Sequence, residues 1–267
     1  MNLIRHLCGI LYVDRKYYEK PYPDILLPLS DSANIIQYSV YCLASIGCRT
    51  IWIISNGEYS QSVKDCLGDY IPDPIAYKLN VDIKDKLIPI YYMNTYVRGE
   101  NEHSSTEYFL NTRRVLAKTT RAVTDFLVPE KWFFSFVNNL YPLQELGKLK
   151  PIVLQDDKNF LDFRDKNGKN VGYIIPNKDA TMLHRIYENS RETDLNKLTD
   201  NFPKEKYYLF DTHTINSIKN YALILQDEKI TSFVYPKVFS ELKKRSSYGL
   251  DQPFIAKDTK ITIRSKP

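Results

Sequence analysis

Glycine is scarce in this chain, with 9 among 267 residues, and the only near pair is Gly168 with Gly172. A loop that wraps a phosphate in its own backbone needs closely spaced glycines. The sequence has neither a Walker loop nor a G-x-G-x-x-G. Cysteine is equally sparse. Cys8, Cys42, Cys48 and Cys66 form no C-x-x-C pair and fall in apolar or helical stretches. They read as buried free thiols in a reducing compartment, which argues against a zinc site or a disulfide framework and for a cytoplasm. His6, His103, His184 and His213 lack a ligand spacing such as H-E-x-x-H, and no G-x-S-x-G is present. No apolar run approaches the roughly 20 residues that cross a bilayer, so no membrane span is expected. Asn2 to Val13 is short, carries Arg5 and His6, and ends without a small-residue cleavage site, so it does not read as a signal peptide. A dense Lys/Arg stripe with interleaved aromatics is missing too. The formal net charge of +5 gathers partly in Lys257 to Lys266, which reads as a solvated tail rather than a nucleic-acid contact.

What is present is an ordinary globular balance, 43% hydrophobic and 26% charged, with 21 tyrosines. The first half alternates strand and helix. Leu7 to Val13 reads as a strand. Ser32 is placed to cap a helix running to Ile46, with Gly47 as its stop. Thr50 to Ser55 is a continuous apolar strand, as in a parallel sheet covered on both faces. Asn56-Gly57 leads into a helix from Ser60 to Leu67, closed by Gly68. Leu87 to Met93 reads as a strand, and Pro89 within it suggests an edge or irregular position. Ser104 or Ser105 is placed to cap a long helix to about Thr124, and Lys131 to Val137 closes the series. The second half reads as a hairpin from Phe160 to Ile175 turning at Asn167-Gly168, a helix over Thr181 to Ser190, a strand over Lys206 to Phe210, and a helix from about Ile215 to Leu223.

This order predicts an α/β protein, a Rossmann-like three-layer sandwich with a mostly parallel central sheet and a smaller, irregular C-terminal β/α portion. The composition break near Gly147 to Pro151 divides it into residues 1–147, a nucleotide-binding-like half, and 148–267, the acceptor half of the same domain. Such sheets bind ligands at the carboxyl ends of their strands, where strand order reverses. Those ends are Asp14, Asn56, Asn94 and Asn138.

Three stretches carry a resemblance. The first is Ile25-Leu-Leu-Pro-Leu29, then Ile35 to Gly47, then Arg49 to Ser55. The second is Val137-Asn-Asn-Leu-Tyr141, and the third is Leu209-Phe-Asp-Thr-His-Thr-Ile-Asn-Ser-Ile218. Over about three quarters of the chain they resemble the sugar nucleotidyltransferases, enzymes of a nucleotide-sugar (GT-A-like) fold that make nucleotide-sugars from an NTP and a sugar phosphate. The resemblance implies Mg²⁺ held at Asp211 and Asn138, phosphate held by Arg15 or Lys20 near Asp24, and nucleotide contacts at Asp14 and Ser105.

The departures from the pattern are as informative. The glycine-rich loop expected after the first strand is replaced by Tyr12 to Lys20, whose bulky side chains hold backbone and phosphate apart. The lysine expected before Ile25 is Asp24, which repels phosphate. One of the two implied aspartates is Asn138, a dipole where Mg²⁺ prefers an anionic oxygen. Each position also has a plainer reading. Asn138 reads equally as a turn residue bonding its own backbone, Asp211 as a helix N-cap, and Arg15, Lys16 and Lys20 as surface cations. The expectation is a divergent, inactive or altered descendant that binds nucleotide or nucleotide-sugar, or serves as a scaffold for other protein chains. The alternatives are an active Mg²⁺-dependent nucleotidyltransferase and a related glycosyltransferase, the latter wanting a D-x-D pair that Asn138-Asn139-Leu140 does not supply.

Overall fold

The computed structural model describes residues 7–13, 24–56, 60–79, 86–95, 129–148, 161–168, 170–176, 207–210, 212–215, 217–237 and 239. The expected helices over 104–124 and 181–190 lie outside these residues.

The centre of the molecule is a run of parallel strands: β1 (Leu7–Val13), β4 (Cys48–Asn56), β6 (Leu87–Thr95) and β7 (Lys131–Phe136). Between them come a small ribbon of β2 (Pro28–Ser30) with β3 (Ala33–Asn34), and β5 (Tyr70–Pro72). The chain continues through β8 (Asn139–Leu140), the hairpin of β9 (Leu161–Asp165) and β10 (Asn170–Pro176), then β11 (Tyr207–Phe210) and β12 (His213–Thr214). Eight strands form one sheet in the order β11-β9-β10-β7-β1-β4-β6-β5. The C-terminal strands thus extend the sheet of the first half, through the antiparallel pairing of β10 with β7.

β1 is buried along its whole length, and alternate residues serve opposite faces. Leu7, Leu11 and Val13 join the apolar cluster that contains α1 (Ile35–Ser45). Gly9 faces the same way, and a side chain there would meet Cys48 Sγ at 3.0 Å and Leu43 Cδ1 at 3.2 Å, so glycine lets α1 and β4 pack here without either neighbour giving way. Ile10 serves the opposite face and is buried as well, as are Ile54 on β4 and Phe134 on β7. That explains the unbroken apolar runs in these strands.

Several sequence expectations shift in detail. Ser32 does not cap α1. Asn34 does, accepting from Gln37 N while the Gln37 side chain accepts from Asn34 N, each at 3.0 Å. The Ser32 hydroxyl instead accepts from Tyr235 N at 2.7 Å. Gly47, at φ 102°, ends α1 as expected, and α2 (Ser60–Leu67) matches its expected span. β6 is not an edge strand. β5 covers it antiparallel, with Pro89 opposite Tyr70, while pairing with β4 begins only at Ile90. The proline therefore sits ahead of the parallel ladder, where its missing N–H breaks no bond to β4. The expected helix near 215 is Ile218–Ile224, capped by Ser217. Asp211 is therefore not its N-cap.

Candidate functional site

β1 lies between β4 and β7, so the chain order of the parallel strands reverses at the β1–β7 pair. That is the topological switch point, and the carboxyl ends of the flanking strands are where this architecture takes ligands. Tyr12 lies beside Phe136 in the register, and Val137 N donates to Tyr12 O at 3.0 Å. Residues 137–138 turn the chain there, directly into β8.

β8 and β12 pair antiparallel, His213 opposite Leu140 and Thr214 opposite Asn139. The segment just after residue 211 is thereby seated on the turn after β7. Ile215 N donates to Asn138 O at 2.8 Å, and the Asn138 side-chain amide donates to Ile215 O at 3.4 Å. Asn138 is 5% exposed. It bonds the backbone of another segment rather than its own, unlike the turn residue the sequence suggested.

Asn139 makes a second link of the same kind. Its amide donates to Val171 O on β10 at 3.0 Å, and its side-chain oxygen accepts from Thr214 Oγ1 at 3.0 Å. Tyr141 also donates to Val171 O and accepts from Ser135 Oγ, while Tyr38 on α1 donates to Tyr141 O at 2.7 Å. Burial pushes the Tyr38 and Tyr141 hydroxyls far above the usual phenol range, so both act as neutral donors. Gly172 leaves room for this arrangement, since a side chain there would meet Tyr141 Oη at 2.7 Å. Between Tyr38, Ser39, Cys42, Phe133, Ser135 and Asn139 remains a cavity of about 10 Å³, room for at most one water. The region is a packed polar joint in which buried donors are matched to backbone carbonyls.

Asn138 is the one expected site residue whose side chain is described. Asp24 opens a short 3₁₀ turn, Asp24–Leu26, just before β2. Asp14, Arg15, Lys20, Ser105 and Asp211 lie outside the described residues. Among the described residues no group of three or more His, Cys, Asp or Glu side chains converges as a metal cluster. Asn138, the described member of the implied Mg²⁺ pair, is buried with its amide on a carbonyl. Its side chain therefore offers a hard dication no anionic oxygen.

One further contact had no signal in the sequence. His213 Nε2 lies 2.7 Å from Asp227 Oδ2, and Asp227 Oδ1 caps the helix Glu228–Thr231 by accepting from Lys229 N at 2.9 Å. The cap had a local signal, an Asp before a short helical stretch. The pairing across 14 residues had none. Three of the cysteines are buried and Cys66 is half-buried, and none of the four is in a disulfide. Burial raises the Cys8 thiol to about 12, so it is inert as a nucleophile at neutral pH.

Neither a family model nor a curated protein sequence matches the chain. Solved structures match it in fold. A protein assigned as a glucose-1-phosphate thymidylyltransferase from Bacillus anthracis, in complex with sucrose, superimposes with a TM-score of 0.61 at 11% identity, over 88% of this chain and 99% of that chain. UDP-glucose pyrophosphorylase complexed with UDP-glucose gives 0.55 at 13% identity, over 83% and 97%. Rv0371c from Mycobacterium tuberculosis H37Rv, in complex with manganese, gives 0.50 at 13% identity, over 83% and 98%. The chain has the α/β fold of sugar nucleotidyltransferases, and fold by itself assigns no activity.

Proposed function

We propose that this chain is a divergent sugar-nucleotidyltransferase-like protein that no longer transfers nucleotidyl groups and acts as a binding or scaffold protein. The observation that carries this reading is the use made of Asn138. Its amide nitrogen serves as a buried donor to Ile215 O. An ionised aspartate has no proton to donate, and its charge would face that carbonyl oxygen. The neutral residue suits the joint, and the joint leaves no anionic ligand at that position. The sequence adds Asp24 where a lysine is expected and Tyr12 to Lys20 where glycines are expected. Losses of this kind remove stabilisation of transition-state charge, a large term in phosphoryl chemistry. Its partners are a nucleotide or nucleotide-sugar and other protein chains, and its compartment is a cytoplasm.

A second reading is favoured by one observation, the pairing of β12 with β8, which seats the residues following Asp211 against the turn at Asn138. In that reading Asp211 holds Mg²⁺, Asn138 assists, Asp14 and Ser105 contact the nucleotide, and Arg15 or Lys20 holds phosphate beside Asp24. Thermal-shift titration with NTPs and nucleotide-sugars, with and without Mg²⁺ or Mn²⁺, separates the two. The first reading expects any stabilisation to be independent of metal. The second expects metal-dependent stabilisation that disappears in Asp211→Ala.

A further inference from the structure

Residues 217–237 touch both the β2–β3 ribbon and β12, the strand paired with β8 at the polar joint, at three separated points. Tyr221 Oη donates to Pro28 O, and Tyr235 N donates to Ser32 Oγ at 2.7 Å, which ties this C-terminal stretch to the β2–β3 ribbon ahead of α1. Asp227 reaches the other way, with its carboxylate 2.7 Å from His213 Nε2 on β12. Between these points the stretch is anchored by rings. Phe233 packs on Tyr38 and Tyr41 with centroids 5.0 and 4.9 Å away, and Tyr235 and Phe239 also pack on Tyr41. Ile230, at the centre, is fully buried. The ribbon of 28–34 and the segment of 212–215 have no strand pairing with each other, since β2 pairs with β3 and β12 pairs with β8.

We infer that residues 217–237 are a cross-strap that couples the β2–β3 ribbon to β12, so that the ribbon and β12 loosen or tighten together. The coupling is local and mechanical. One helical turn carries Asp227 as both N-cap and close neighbour of His213, and the same packed segment carries Tyr221 and Tyr235. A coupling of this kind is reciprocal, so perturbing either end must be felt at the other. It stands independently of whether the protein binds a nucleotide.

Hydrogen exchange read by mass spectrometry on the full chain tests it. Asp227→Asn keeps an acceptor for the helix cap and removes the charge facing His213. The expected result is an exchange rate about three- to tenfold higher in 24–34 as well as in 212–215, the scale of about 1 kcal/mol of lost polar contact, with the 161–176 hairpin unchanged. Tyr221→Phe is the reciprocal probe. It deletes only the hydroxyl that bonds Pro28, and faster exchange is expected in 212–215. Faster exchange confined to the mutated end in either variant, or an equal rise across the whole chain including 161–176, overturns the strap. Tyr221→Phe removes one atom, so it decides the matter if Asp227→Asn does not fold.

Discussion

The packing of α1 against β1 and β4 and the joint after β7 meet at the bond from Tyr38 to Tyr141 O and are built on opposite chemistry. α1 meets the sheet with Ile36, Val40, Leu43 and Ala44, all buried and all apolar. The joint is equally buried, yet it is assembled from Ser135, Asn138, Asn139 and Tyr141. Apolar contacts are non-directional and scale with area, so the first region asks for side chains of about the right size. Buried amides and hydroxyls are costly unless each finds its partner, so the second region asks for particular atoms. The difference teaches where this chain tolerates change and where it does not.

The largest effect expected spans both regions. Burial raises Cys8 on β1, and Cys42, Tyr38 and Tyr141 around the joint, so the unfolded chain releases these protons first. The stability they contribute is whole below the unfolded values, about 8.5 for cysteine and about 10 for tyrosine, and is lost progressively as pH rises past them. Urea unfolding between pH 7 and 11 should show a steep alkaline loss, flattened in Tyr141→Phe relative to its own value at pH 7.

Leu43→Ala comes next, removing a side chain that is 2% exposed in the core at a cost of about 2–5 kcal/mol. Asn139→Asp follows, at about 1–3 kcal/mol, although it changes almost no volume. The introduced carboxylate would face Val171 O, so its folded-state pKa is raised and its penalty applies above about pH 4, the unfolded value. Below that the protonated acid regains a donor, and the gap to wild type should narrow. The smallest effect is Ile36→Leu, expected to cost under about 1.5 kcal/mol because the core repacks. The comparison fails if Ile36→Leu proves more damaging than Asn139→Asp in parallel denaturant titrations.

The same contrast explains what was legible in the sequence. Leu7–Val13 was readable residue for residue, because a strand covered on both faces must be an unbroken apolar run. Gly47 and Gly68 punctuate α1 and α2 as their positive φ requires. β5 escaped notice because its three residues carry no period of their own and exist by pairing with β6. The α1 cap was misplaced by two residues because Ser32 and Asn34 are both good caps. The deciding signal, Gln37 three residues after Asn34, completes the capping box only with the asparagine. At the candidate site, the chain turn at Asn138 was legible. What the amide bonds to was not, because Ile215 lies 77 residues away and hydrogen-bond partners leave no local pattern. The His213–Asp227 contact was hidden for the same reason.

The account turns on Asn138 as a donor within a structural joint, and restoring a carboxylate there tests it most directly. Thermal unfolding of Asn138→Asp, followed with and without millimolar Mg²⁺, should show a lowered midpoint that the metal does not restore. A variant that Mg²⁺ stabilises above wild type would contradict the account and return the position to metal chemistry.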